Sequence, residues 1–98
     1  MSDVQIKNGD NGNGEFFIED NGVRIAFLAF KIHGSTLTAI HAEVSEAWNG
    51  KGIAAKLVTA MVDYARANKM MIVPLCPYVR TVFEKHPERY EDVWLKAS

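Results

Sequence analysis

The chain has 98 residues, enough for one domain with a single modest core and too short for two. A hydrophobic fraction of 48%, a charged fraction of 23% and a formal net charge of -1 suit a globular protein with no global pull toward nucleic acid or anionic membrane, so neither is expected as a partner. The lone cysteine, Cys76, excludes an intramolecular disulfide and a multi-cysteine metal site, and no metal is expected.

Residues 1–14 are polar and rich in glycine and asparagine, without an apolar signal segment, and no later run is long enough to span a bilayer; the expected compartment is the cytoplasm. "NGDNGNG", residues 8–14, reads as a loop or long turn. Residues 4–7 are then at most a short edge strand, order begins near Glu15, and residues 1–14 are partly flexible. "EFFIED" and "VRIAFLAFKI" are aromatic and β-branched, and they flank Asn21-Gly22, a dipeptide suited to the positive φ angles of a two-residue hairpin turn. His33-Gly34-Ser35 separates the second strand from "TLTAIHAEV", which completes a three-stranded antiparallel meander.

The periodicity then changes. Ile53, Leu57, Ala60, Met61, Tyr64 and Ala65 recur at spacings of three and four, with Lys56, Asp63, Arg66 and Lys69 opposite them, which predicts an amphipathic helix over residues 52–68. "MMIVPL", residues 70–75, has strand character. Pro77 suits the first turn of a second helix, "PYVRTVFEKH", where His86 provides a favourable terminal charge and Pro87 stops the helix. The tail, residues 88–98, is polar apart from Tyr90, Val93, Trp94 and Leu95, which are expected to clamp it onto the body. A helix crossing between "TLTAIHAEV" and "MMIVPL" makes those strands parallel neighbours. The predicted class is therefore α+β: a mixed, mostly antiparallel sheet with two main helices, in one domain over residues 1–98.

"NGKGIAAKLV", residues 49–58, places two glycines around a lysine just before the long helix. A strand, a glycine turn and a helix start form a recurrent phosphate-binding arrangement. The first-turn N–H groups are unsatisfied and partly positive, each contact being worth ~0.3–1 kcal/mol when exposed. Lys51 adds a full charge, and the missing Cβ atoms of Gly50 and Gly52 let an anion approach; alternatively the glycines serve only the turn. The spacing is not that of a P-loop, and Ala55 stands where a dinucleotide fingerprint has its third glycine, so a nucleoside triphosphatase or a dehydrogenase is not expected.

"VSEAWNGKGIAAKL", residues 44–57, resembles the signature of the GNAT superfamily, the acetyl-coenzyme A-dependent N-acetyltransferases. That signature is Arg or Gln, two residues, Gly, one residue, then Gly or Ala, and the corresponding positions here are Asn49, Gly50, Lys51, Gly52, Ile53 and Ala54. Together with "IHAEV" and "PLCPYVRTVFEKHPERY", the chain is similar to a subfamily of very small GNAT-like proteins over most of its length from Gly14 onward.

The resemblance implies a minimal GNAT-like fold, acetyl-coenzyme A as cosubstrate and an unidentified amine as acceptor. It implies that the N–H groups of Gly50, Lys51, Gly52, Ile53 and Ala54 receive the pyrophosphate, with Asn49 replacing a longer Arg or Gln. It also implies that exposed main chain at Val44 pairs with the pantetheine arm, and that this strand and "MMIVPL" splay into a V around the thioester. Close to that opening, Cys76 is either a thiol biased toward thiolate that assists transfer or a buried small hydrophobe. His41 and Glu43, two apart on one strand, share a face and could deprotonate the amine; otherwise they are a backbone-bonded histidine and a solvated carboxylate. The thiolate-protonating tyrosine of larger relatives aligns with Phe83, which cannot donate a proton, leaving Tyr78 as the nearest hydroxyl. Arg80 and Lys85 either reach the phosphates or stay solvated, and Trp48 either covers an adenine or packs under the helix. The early helices that build an acceptor pocket are missing, so the acceptor is expected in an open groove or across a homodimer interface. The competing reading is a non-catalytic coenzyme A or acyl-CoA binding module.

Overall fold

Strands Gln5–Asn8 (β1), Asn13–Asp20 (β2), Val23–His33 (β3), Thr36–Val44 (β4) and Met71–Pro74 (β5) lie side by side in chain order in a computed structural model that describes residues 1–96. The tail's last two residues, Ala97 and Ser98, lie outside the described residues. The first four strands are antiparallel and β4 runs parallel to β5, with helix Ile53–Ala67 (α1) as the crossover, as the periodicity predicts. Helix Pro77–Lys85 (α2) and the one-turn helix Pro87–Tyr90 (α3) follow. Pro87 stops α2 because it lacks an N–H, and the same property lets it occupy the first position of α3.

Asn21 and Gly22 take φ of 52° and 76°, the left-handed pair that a two-residue hairpin needs. The short edge strand that the composition allows at residues 4–7 is present, and order begins before Glu15. Gln5–Asn8 pairs with β2, and Asn13 and Gly14 already pair with Lys31 and Phe30. A hairpin closed by the Gly9 N–H on the Asn13 carbonyl (2.6 Å) compresses the glycine-rich loop to the 3-10 turn Asp10–Gly12. Turn-type residues join a ladder readily, because the ladder needs only their main chain.

Phe16 and Ile18 on β2, Ala26, Leu28 and Phe30 on β3, Leu37 and Ala39 on β4, and Ile72 on β5 point to one face and are buried there. Against them lie Leu57, Val58, Met61, Val62 and Ala65 of α1 and Val79 and Phe83 of α2. None of Phe17, Phe27, Thr38 and Val73 on the alternate positions is buried. The helices therefore cover one face of the sheet and leave the other open.

β4 contains a bulge that the sequence does not announce. Ala29 pairs with His41 and Phe30 with Ala39, so Ile40 has no partner on β3. Past Ile40 the alternation shifts: Ala42 and Val44 turn to the helix side and pack on the core, while His41 and Glu43 turn outward.

The tail clamps back as expected, and its main chain does much of the clamping. The Ile72 N–H donates to the Val93 carbonyl (2.5 Å) and the Leu95 N–H to the Ile72 carbonyl (2.9 Å), which covers the outer edge of β5. Leu95 contributes this N–H while its side chain is exposed. Phe83 stacks on Tyr90 at 4.5 Å and meets Trp94 edge-on at 5.6 Å. Arg66 donates to both Asp92 carboxylate oxygens (2.8 and 3.1 Å) and to the Arg89 carbonyl (2.6 Å). That pairing holds the Asp92 carboxyl below the usual carboxylate range and raises the Arg66 guanidinium.

Phe83→Ala should cost ~3–5 kcal/mol by urea denaturation, since it empties the centre of this cluster. Asp92→Asn should cost only ~0.2–1 kcal/mol, because the pair is exposed. The Asp92 carboxyl titrates lower in the folded chain than in the unfolded one. Its contribution is therefore present above about pH 3.9 and lost as pH falls through the folded value, where the variant and the parent should converge.

Candidate active site

The site is built where β4 outlives its neighbour. Pairing with β5 ends at Ala39 and Pro74, and the Cys76 N–H makes a last bond to the Ala39 carbonyl (2.8 Å). The chain then leaves the sheet through Pro77 into α2, while β4 runs on to Val44 paired with β3 alone. The Ser45 N–H donates to the Ile25 carbonyl (2.7 Å). Main-chain groups alternate in direction along a strand, so those of Ala42 and Val44 point away from β3, onto the unpaired edge. This is the splayed V.

After the 3-10 turn Glu46–Trp48 the chain reaches the two glycines. Gly50 and Gly52 adopt φ of 75° and 74°, a left-handed conformation that costs an L-residue ~1–2 kcal/mol. An added Cβ would meet open space at either position, so backbone handedness rather than crowding calls for glycine. Gly52 caps α1 without a side-chain bond, and its carbonyl accepts from the Lys56 N–H (3.3 Å). The N–H groups of Ile53, Ala54 and Ala55 thus lack intrahelical acceptors. No acidic side chain occupies this first turn.

The unpaired edge and the helix start face one cavity of about 390 Å³, a size within the range of small-molecule sites. Its walls bring together Val44, Asn49, Gly50, Gly52, Ile53, Ala54 and Tyr78 from the residues singled out in the sequence. Lys51 is exposed and off the wall. Ala42 also lines the cavity and was not legible, because only the bulge turns it to this side. Trp48 packs against the core, the second of its two readings, and also lines the cavity.

The remaining candidates sit elsewhere. His41 Nε2 and Glu43 Oε2 lie 3.3 Å apart, with side chains 57% and 63% exposed, on the open face of the sheet. Their shared face is as the spacing predicts. Cys76 is at the start of α2, but it is only 2% exposed and belongs to the core, a placement that matches the buried small hydrophobe of its two readings. Phe83 is wholly buried beside Tyr90 and Trp94, away from the cavity, and the hydroxyl-bearing residue of α2 at the cavity is Tyr78. Arg80 Nε points to the Pro74 carbonyl at 3.4 Å, and neither Arg80 nor Lys85 lines the cavity. Among the described residues no group of His, Cys, Asp and Glu is arranged to hold a metal, and no helix is long and apolar enough to cross a membrane.

Comparison with known proteins agrees with this geometry. The family model for the GCN5-related N-acetyl-transferase matches residues 15–93. A GCN5-like protein from Staphylococcus aureus, solved by NMR, superimposes with a TM-score of 0.71 at 30% identity, over 100% of this chain and 94% of that one. A ribosomal-protein-alanine N-acetyltransferase from Brucella melitensis biovar Abortus 2308 gives 0.65 at 22% identity, over 91% of this chain and 66% of that one. A predicted acetyltransferase from Clostridium acetobutylicum, crystallised with acetyl-CoA, gives 0.65 at 21% identity, again over 91% and 66%. These last two share the fold, and this chain spans about two thirds of their length. No curated protein matches the sequence.

Gly50→Ala and Gly52→Ala should each lower stability by ~1–2 kcal/mol in denaturant titrations, with Gly50→Asn milder because asparagine tolerates left-handed backbone. Cys76 should resist an aromatic disulfide reagent in the folded protein and become labelled along the urea unfolding curve; rapid labelling of the native state would contradict its burial.

Proposed function

The chain belongs to the GCN5-related N-acetyl-transferase family, and on that footing we propose that it binds acetyl-coenzyme A and catalyses acetyl transfer to an amine. The carrying observation is that a single cavity is faced both by the free edge of β4 and by the unsatisfied N–H groups at the start of α1. These two donor sets suit the two polar parts of the cosubstrate, the pantetheine amides and the pyrophosphate. The Clostridium acetobutylicum structure with acetyl-CoA and an aminoglycoside N-acetyltransferase in complex with CoA support the reading from the same fold.

The main chain of Ala42 and Val44 would hold the pantetheine amides, and the N–H groups of Gly50, Lys51, Gly52, Ile53 and Ala54 would hold the pyrophosphate. Asn49 offers a shorter contact than the family's usual Arg or Gln. When bound, the cosubstrate supplies an acetyl group activated as a thioester. His41 and Glu43 serve as the base that receives the proton shed by the amine, and the exposed Tyr78 hydroxyl supplies the proton taken up at sulfur. Cys76 contributes its N–H to the base of the V, and the burial of its thiol favours a packing role over a part in transfer.

The His41–Glu43 pair lies on the sheet face away from the cavity wall, which favours one alternative: a module that binds coenzyme A or its acyl esters without turning them over. Titration calorimetry with acetyl-CoA, paired with an assay of free thiol release in the presence of amines, separates the two. The transferase reading predicts saturable binding and amine-dependent release. It further predicts that Tyr78→Phe leaves binding nearly unchanged while cutting release by ~10²-fold. Binding without release under every amine selects the binding module, and no binding at all contradicts both.

A further inference from the structure

Two exposed apolar side chains flank the V, one on each arm. Ala39 and Pro74 form the last paired step between β4 and β5, and both are buried. The next residue on each arm is exposed instead, Ile40 by 44% and Leu75 by 57%; Ile40 turns outward at the bulge, and Leu75 follows the end of β5, where its N–H turns back to the Val73 carbonyl (3.1 Å). Ile40 is the bulged residue of β4, and the bulge places His41 on that same outward side immediately after it. The Phe27 ring stands 6.1 Å from the His41 imidazole, and Phe27 is the cross-strand partner of Glu43. An apolar lip thus leads from the mouth of the V to an imidazole–carboxylate pair.

Single exposed apolar residues are ordinary, but these two are the first residues beyond the pairing on both arms of the V. The electrostatics beside them favour a cation. Among the described residues the ion partner of Glu43 is His41, while the neighbouring Arg24 is engaged by Glu15 and lies over the Phe17 ring. The pair adjoins the cavity along the chain but on the other face of β4: outward His41 and Glu43 alternate with inward Ala42 and Val44 along the stretch that pairs with β3 alone.

We propose that Ile40 and Leu75 are specificity-determining residues that select a primary amine carried on an apolar or aromatic body, with the body on the lip and the ammonium at Glu43 and His41. This rests on the acetyl-transfer reading of the same V. The ammonium first gives one proton to the His41–Glu43 pair, which passes it to solvent. The neutral nitrogen then forms its C–N bond as the thioester C–S bond breaks. Tyr78 protonates the departing sulfur, and the second nitrogen proton replaces the one that Tyr78 gave.

The test is methyl and amide NMR on the full chain loaded with free coenzyme A, which cannot react. It is titrated with 2-phenylethylamine and, as a charge-matched control without the apolar body, ethanolamine. The first amine should shift the Ile40 and Leu75 methyls saturably, at about tenfold lower concentration or better than ethanolamine, while the exposed Ile6 and Leu95 methyls stay still. Ile40→Thr and Leu75→Ser should each weaken 2-phenylethylamine toward the ethanolamine value. Equal responses to the two amines, or shifts at Ile6 and Leu95 alone, would overturn the proposal. So would lip shifts that follow protein concentration without added amine, which would mean that a second copy covers the lip. Loading is read separately from amides 50–54. If they move with coenzyme A and the lip ignores the amine, only this inference fails; if they do not move, the cofactor reading fails and takes the inference with it.

Discussion

A main-chain N–H or C=O withdrawn from one partner must find another, and the fold turns on where β4 loses its partner. β5 stops at Pro74. Past that residue Ala42 and Val44 are left with main-chain groups aimed into a cavity rather than at a strand. On the β5 side the main chain is supplied: the tail covers the outer edge of β5, and the Cys76 N–H caps the Ala39 carbonyl. Within the sheet the opening is thus one short stretch of β4. An extended ligand bearing amides is the natural occupant of such a stretch, by the same physics that pairs strands.

The glycine turn extends this donor surface round the corner. Two left-handed residues fold the chain sharply from Trp48 into α1, so the helix starts against the cavity with its first N–H groups unbonded. The turn stabilises a route for the chain rather than a contact, which is why open space surrounds the position of each missing Cβ. Rigidity comes from behind, where Leu57, Met61 and Ala65 seat α1 on the sheet and the Phe83, Tyr90 and Trp94 cluster anchors the far end of α2. Site and core are coupled through these helices: Leu57, Met61 and Ala65 stay off the cavity, while Ile53 and Trp48 belong to both the core packing and the cavity wall.

Much of this was legible in the sequence, for identifiable reasons. The hairpin at Asn21-Gly22, the amphipathic period of α1 and the parallel return of β5 follow from local patterns that tertiary context had no cause to override. The glycine turn was legible because handedness restricts the residues that can occupy it. The bulge at Ile40 was not, since a register slip depends on how β3 and β4 fit across the sheet and leaves no mark in either strand alone. Ala42 was missed as a consequence, as was the outward turn of Ile40. Cys76 and Phe83 show the limit of reading side chains from position along a helix. Both sit on α2 or its cap, yet packing buries them and leaves Tyr78 at the cavity.

The central claim is that the unpaired edge of β4 is the docking strand for the cosubstrate, and hydrogen exchange measures it most directly. With coenzyme A present, the amides of Ala42 and Val44 should exchange markedly more slowly, while adenosine 3′,5′-bisphosphate, which lacks the pantetheine arm, should leave them unchanged. Exchange at Ala42 and Val44 that is unaltered at saturating coenzyme A would contradict the account.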